Sequence, residues 1–288
     1  ARGTNPTLPR EQVFPGPAPT TFLRSREGPM RTIAVTRALP SNTNMAYRIE
    51  DVRGYEPLFS EDYQRFWNEA MTARGAWEQL EWSELRAPRV LPLLGVGYVI
   101  DGPGSPPLTA PGLDLELVHE GDARIYRVKD PMPRAFVVHA IDRVTSAAEA
   151  GARLRGGYPY RTRALVDGEP EPKPATATGP DDVRFASPDP EHASIELTLD
   201  APGLLVVTHA HDPGWTARPD GAPWPVLRAD GVFLGVAVPA GTHRVELAYR
   251  PRGLVPGAPV STLALLVLAL GATLPGRRAG AGLAGARA

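Results

Sequence analysis

Apolar and polar residues alternate in short runs along most of the chain, and a single long uncharged run closes it. Arg31-Thr-Ile-Ala-Val35 predicts a first strand. Leu93-Leu-Gly-Val-Gly-Tyr-Val-Ile100, β-branched and stopped by Asp101-Gly102, predicts a buried one. Leu113–Val118, Ala123–Val128 and Ala135–Val138 read as three more, with Glu120-Gly121-Asp122 as a tight turn between the first two. Ser60–Met71 has helical spacing instead. Ser60 stands at the N-cap, Glu61 and Asp62 lie at the positive dipole end, and Phe59, Tyr63, Phe66 and Trp67 share a face. A second helix is expected over Thr145–Arg155. The loop Leu39–Tyr47 is rich in Asn and Ser side chains that bond their own backbone.

Residues 167–182 carry Pro, Gly, Thr and charge but nothing apolar larger than Ala, apart from the Val183 that follows, and predict a linker. Beyond it the texture changes. Ser194–Leu199, Gly203–Thr208, Val232–Val238 and Arg244–Tyr249 are strands separated by Gly, Pro and Asp turns, the pattern of an antiparallel sandwich. Between Arg252 and Arg277 no residue is charged. As a helix, 253–274 would extend about 33 Å, enough for a hydrocarbon core of about 30 Å. Pro256, Gly257 and Pro259 leave Val260–Leu274 as the clean apolar part, which also fits a buried core helix. Flanking arginines and a Gly/Ala/Arg tail favour the membrane.

The expected organisation is an extended lead-in over 1–28, an α/β (α+β) domain over 29–166, the linker 167–182, and an antiparallel β-sandwich over 183–252. A transmembrane helix over 253–274 and a disordered tail over 275–288 complete it. With 33 Pro and 29 Gly among 288 residues, many loops and few long helices follow. The net charge of −1 supplies no field to attract nucleic acid. The absence of cysteine excludes disulfides, thiolate nucleophiles and Cys-ligated zinc. The chain begins at Ala1 with no charged-then-apolar leader, so a C-terminal span leads one to expect further sequence upstream.

Several segments occur in a recognisable order. They are Asn42 and Asn44, Arg53-Gly-Tyr55, the aromatic helix, Leu94–Ile100 and Pro133-Arg-Ala-Phe136. Gly203–Thr208, Asp212-Pro-Gly-Trp-Thr-Ala217, Asp220-Gly221, Pro239–His243 and Tyr249-Arg-Pro251 follow. The order is similar to the C-terminal, extracytoplasmic portion of the YfhO family of bacterial membrane proteins, from about Phe22 to Leu274. The resemblance implies a polytopic, GT-C-like glycosyltransferase that uses a lipid-linked sugar to decorate cell-envelope polymers. It also implies a catalytic carboxylate on an upstream loop outside these residues. No catalytic residue is therefore assigned to this chain. The implied partners are the membrane, the upstream transmembrane region of the same protein, and a glycan or lipid-linked sugar; the implied place is the cell membrane, with the folded domains on its extracytoplasmic face.

Candidate chemistry is thin. Asn42 and Asn44, with Tyr55, Tyr63 and Trp67, are the candidates for substrate binding, because amides and phenols bond sugar hydroxyls and aromatic faces suit sugar rings. An Asx-turn with ordinary core aromatics accounts for the same residues equally well. His209-Ala-His211-Asp212 has two imidazoles at strand spacing, but no third ligand nearby in sequence, so neither a metal nor another cofactor is expected. Trp215 reads as the cap of a sandwich core before it reads as a sugar platform. Glu50-Asp51 and Glu61-Asp62 fit helix-start and surface roles better than a glycosidase pair. Gly95-Val-Gly97 lacks the third glycine of a dinucleotide loop. Two function classes stand. One is an acceptor-side accessory module of a membrane glycosyltransferase, and the other a non-catalytic carbohydrate-binding or scaffold module of the envelope. A free-standing hydrolase ranks behind both.

Overall fold

The computed structural model describes residues 18–26, 30–36, 38–39, 43–53, 60–72 and 80–273. Three sheets make up most of it. The first has the order β1 (Arg31–Ala34), β2 (Val96–Asp101), β4 (Arg124–Val128), β3 (Leu115–His119), with β1 parallel to β2 and the other pairs antiparallel. Its outer face carries Ala34, Tyr98, Ile100 and Ile125, covered by Leu23 of helix α1 (Ala18–Arg24), Leu39, and Ile49 just beyond the short α2 (Thr43–Tyr47).

The second sheet has six strands. In spatial order they are β5 (Ala135–Val138), β10 (Gly203–Ala210), β13 (Phe233–Val238), β12 (Leu227–Ala229), β7 (Ala164–Asp167) and β6 (Ile141–Arg143). Helices α3 (Glu61–Ala70) and α4 (Ala147–Arg155) lie against one face of it, where Phe66, Trp67, Ala150 and Leu154 join Leu165, Leu204, Val206 and Phe233. The two helices meet at Gly151. A Cβ there would stand 2.9 Å from the Phe66 carbonyl oxygen, so only glycine permits the approach. The other face receives the third sheet, β11 (Trp215–Pro219), β14 (Gly241–Tyr249), β9 (His192–Leu199), β8 (Asp182–Asp189). Between them Leu205, Val207, Leu234, Val236 and Val238 interdigitate with Ile195, Leu197, Val245 and Leu247.

β9 shows the alternation that a one-faced strand requires, with Ala193, Ile195, Leu197 and Leu199 buried and Glu196 and Thr198 exposed. α3 and α4 form where the spacing puts them. Ser146 caps α4 by accepting from the Glu149 N–H, and Glu149 accepts in return from Thr145. Ser60 sits at the N-cap of α3 without a side-chain cap bond.

Three expectations need correction. The residues 167–182 do not separate two units, because β5, β6 and β7 precede them and β10, β12 and β13 follow, all in one sheet. The stretch is not a free linker either. Asp200 accepts from the Thr178 N–H, the Thr178 hydroxyl and the Gly179 N–H, and Ala175 N–H donates to Pro202. Composition reported the absence of a core here, but short polar segments can be fixed by hydrogen bonds alone. β8 begins inside the segment and was missed, since Val183 and Phe185 are its only large apolar residues and its pairing partner β9 gives the strand its form.

The third correction concerns the C-terminal helix α5 (Leu254–Thr273). Its 20 residues would rise about 30 Å, and Val260, Leu263, Leu265, Leu266, Val267, Leu268 and Leu270 are all exposed. Among the described residues, however, no helix is long and apolar enough to cross a membrane. Side chains are described only for Gly257 and 259–270, and twelve residues of helix rise about 18 Å, short of a bilayer core. The span expected over 253–274 is therefore not established by this helix. The lead-in before Ala18 and the tail after Thr273 lie outside the described residues.

Two measurements test this architecture. Replacing Asp200 with Ala removes the acceptor that holds Thr178 and Gly179, so proteinase K should cut within 167–182 several-fold faster in D200A than in the parent chain. Equal rates would show that the segment is held by something else.

The second concerns Asp230, fully buried in the β12–β13 turn. It accepts from Leu165 N–H at 2.9 Å, and its other oxygen has no partner among the described residues. Burial pushes its carboxyl from 3.8 up to about 7, against the opposing pull of the Leu165 N–H. The folded protein thus keeps a proton that the unfolded chain releases. The contribution is fully present below about pH 4 and is lost as pH rises through about 7, by about 4 kcal/mol. Asp230→Asn cannot ionise. The stability difference between D230N and the parent should therefore move in favour of D230N across pH 4–7, as urea unfolding would show. A pH-independent difference would mean that Asp230 folds as a carboxylate.

Candidate functional site

Of the five expected recognition residues, only Tyr63 and Trp67 have described side chains. Asn42 and Tyr55 lie outside the described residues, and the side chain of Asn44 does too, although its backbone belongs to α2. Tyr63 and Trp67 stack at 6.1 Å between ring centroids, but inward. Trp67 is 1% exposed, and the Tyr63 hydroxyl donates to the Val52 carbonyl at 2.7 Å. Burial raises the Tyr63 phenol well above its ordinary range. Trp67 belongs to the core, and Tyr63 is half-buried against it. Arg53, at the head of the Arg53-Gly-Tyr55 segment, is buried in an ion pair with Asp51 at 2.8 Å and donates to the Leu39 carbonyl.

A different place has the properties of a site. A cleft of about 910 Å³ opens where the first sheet meets the end of the sandwich. Its floor is two arginines. Arg31, from the start of β1, donates to the carbonyls of Leu94 at 3.0 Å and Thr208 at 2.5 Å, and its Nε lies 3.4 Å from Glu50 Oε2. Arg134, just before β5 and 8% exposed, donates through Nη1 to the same Glu50 oxygen at 2.5 Å. Burial, with Arg134 as a neighbour, lowers Arg31 to about 10 against the opposing pull of Glu50. Two guanidiniums therefore share one carboxylate oxygen in a poorly hydrated place.

A run of rings leads away from them. The Arg134 guanidinium lies 5.9 Å from the Phe185 centroid. Phe185 meets His209 edge-on at 5.9 Å, His209 meets Trp215 at 5.2 Å, and Trp215 meets Tyr249 at 5.3 Å. At the far end stand Asp189, Glu191 and Asp212. Asp212 caps its own turn by accepting from Gly214 N–H at 2.7 Å, and Tyr249 N–H donates to the Glu191 carbonyl. Gly214 has no room for a side chain, since a Cβ would come 2.5 Å from the Arg250 carbonyl oxygen. The Asp212–Trp215 turn is pressed in this way against the residues that lead into α5. Arg250 N–H and the Arg252 guanidinium add bonds to the carbonyls of Gly214 and Pro213.

His209 and His211 do not face one ion. The pairing of β10 with β13 slips between Val207 and Ala210. His209 turns to the rings of Phe185 and Trp215, whereas the charged neighbours of His211 are Arg228, Asp62, Asp212 and Asp167. Burial lowers both imidazoles. Among the described residues no group of three His, Asp or Glu side chains is placed to hold a metal ion. Ser187, Asp189 and His192 supply the residue types of a catalytic triad beside the cleft. The Ser187 hydroxyl, however, donates to the backbone carbonyls of Asp189 and His192, not to the imidazole, which pairs with Asp189. No base activates that hydroxyl.

The fold and cleft thus define a β-rich module with a ligand-sized hollow between a basic floor and an acidic rim, followed by an exposed apolar helix. Residues 184–261, from β8 through β14 into α5, match the family model described as bacterial membrane protein YfhO. That stretch, just over a quarter of the chain's length, is similar to the YfhO family of bacterial membrane proteins. Neither a curated protein nor a solved structure matches it.

The state of His209 checks the geometry. Burial first, then the charges of Arg134 and Arg31, bring its imidazole from 6.5 down to about 4. Its contribution to stability is complete above about pH 6.5 and is lost as pH falls towards 4, because the unfolded chain takes up the proton first. The His209 ring signals, assigned by comparison with His209→Gln, should stay those of a neutral imidazole down to about pH 5. A midpoint near 6.5 would place the ring in water and dissolve the ring run.

Proposed function

We propose that this chain is the extracytoplasmic, acceptor-side module of a polytopic membrane glycosyltransferase that uses a lipid-linked sugar for cell-envelope glycosylation. The cleft holds part of the glycan, α5 anchors the module in the bilayer, and the transfer itself belongs to an upstream membrane region. The observation that carries the reading is the position of the cleft. Its aromatic wall ends at Tyr249, the last residue of β14, and α5 begins at Leu254. A ligand on Trp215 and Tyr249 would therefore lie close to the membrane surface, where a lipid-linked sugar is presented. The match to a membrane-protein family over β8–β14 supports the same placement. So do the large apolar side chains exposed around α5 from Val260 to Leu270, which suit lipid on all sides better than a single packing face.

The chemistry supports binding over turnover. Rings with adjoining carboxylates and a phenol recognise the apolar faces and hydroxyls of a sugar, whereas no nucleophile–base pair is assembled among the described residues.

The test has two arms. The full chain should float with phosphatidylcholine–phosphatidylglycerol vesicles, and the chain ended after Arg252 should not. In the intact membrane protein, Tyr249→Ala should raise the acceptor KM about tenfold, equivalent to about 1.4 kcal/mol, with kcat retained. Flotation of the shortened chain would remove the anchor. Hydrolysis or transfer of a glycoside by the purified chain would overturn the division of labour.

A further inference from the structure

We infer that the cleft is built for a sugar carrying a single anionic group, a phosphate or a carboxylate, which takes the place of the Glu50 carboxylate between Arg31 and Arg134. The inference rests on the reading of the cleft as a glycan site and names what that glycan must carry.

Four observations converge. The two guanidiniums bring two positive charges to the cleft floor, and among the described residues only Glu50 is ion-paired with both. Arg134 is more than nine-tenths buried and lines the cleft, and its Nε–H has no acceptor among the described residues. A buried charged donor left unpaired is costly, and a bound oxyanion would supply the missing acceptor. Glu50, in contrast, is half-exposed at 54%, so its carboxylate can swing into water without leaving a buried charge of its own. Finally, His209 stands beyond Phe185 in the run, with Nδ1 buried and likewise unpartnered among the described residues. A hydroxyl beside the anion would satisfy it.

The rest of the cleft limits what the anion is attached to. Phe185, Trp215 and Tyr249 carry a ring-sized body away from the arginines, and Asp189, Glu191 and Asp212 meet it at the far end. Carboxylates accept from sugar hydroxyls but repel a second negative charge. The floor thus selects for one anion, and the rim selects against two and in favour of hydroxyls. A neutral sugar leaves Arg134 Nε unpaired, and a free inorganic ion leaves the rings uncovered.

Calorimetric titration of the full chain in detergent micelles tests this with four probes: glucose, glucose 6-phosphate, glucuronate and inorganic phosphate. The two anionic sugars should bind at least about tenfold more tightly than either glucose or phosphate, which is about 1.4 kcal/mol. Glu50→Gln removes the internal competitor and should raise the preference for the anionic sugars over glucose several-fold. Arg134→Gln should abolish the preference for the anionic sugars over glucose, with circular dichroism confirming the fold; should that variant fail to fold, Glu50→Gln alone decides. Equal affinity for glucose and its phosphate would overturn the inference while leaving a sugar site in place. Phosphate binding as tightly as glucose 6-phosphate would overturn the sugar part. Saturable binding by none of the four, in the parent and in E50Q alike, would overturn both the inference and the glycan reading.

Discussion

Everything in this molecule hangs on β10 being buried on both faces. Along Gly203–Thr208, Leu204 and Val206 face the core shared with α3 and α4, and Leu205 and Val207 face the sandwich. Each buried aliphatic side chain is worth about 1.5–3 kcal/mol relative to exposure, and one strand supplies them to two cores at once. Its backbone is paired on both edges, with β5 on one side and β13 on the other. Gly203 lets β5 come close, since a Cβ there would stand 2.5 Å from Val137 Cγ1. A strand so placed cannot be withdrawn from either half. The α/β part and the sandwich therefore form one cooperative body with two cores, and the cleft is fixed by that union, because Arg31 and Arg134 come from one part and Phe185, His209 and Trp215 from the other.

This explains which features could be read from the chain. Local patterns survived. The runs at Ser194 and Gly203 identified strands, and the helix expected over Thr145–Arg155 forms as α4 over Ala147–Arg155. A polar stretch without apolar residues looked like a boundary, because composition measures what a segment buries and is blind to what holds it. Asp200, itself just past the end of β9, holds it instead. The partners of β5 and β7 are distant in sequence, and no periodicity encodes which edge of a sheet a strand will choose. β12, with three residues, and β6, equally short, fall below what a pattern can show.

The site was illegible for the same reason, made worse by the chemistry of its parts. Arginine is so common here that Arg31 and Arg134 carry no signal as residues; what distinguishes them is burial against one shared carboxylate, which only the packing of β1 and β5 creates. Trp215 was rightly read as closing the sandwich core at 9% exposure, yet the same ring is also a wall of the cleft. A core residue at the end of a sandwich has an inner and an outer edge, so the structural and the recognition readings are not alternatives. At Trp67 they are, because helix packing leaves that ring 1% exposed.

The cleft and the helix that follows it are also joined mechanically. The Asp212–Trp215 turn is held by its own carboxylate, by the Arg250 N–H and by the Arg252 guanidinium, the last two belonging to the short connection between β14 and α5. Any force or tilt acting on α5 is passed to Arg250 and Arg252 before it reaches a core strand, and these residues bond to the backbone on either side of Gly214. Trp215 follows directly and stacks on His209, whose ring adjoins Phe185 and, through it, the Arg134 guanidinium. The cleft wall is thus the first folded element that motion of the helix would meet. Because a Cβ at Gly214 would collide with the Arg250 carbonyl oxygen, the contact has little slack, and the geometry of the aromatic wall is set by the angle at which the chain leaves β14. On the proposed reading, an anchor and a recognition wall that share one turn would hold the ligand at a defined height above the bilayer.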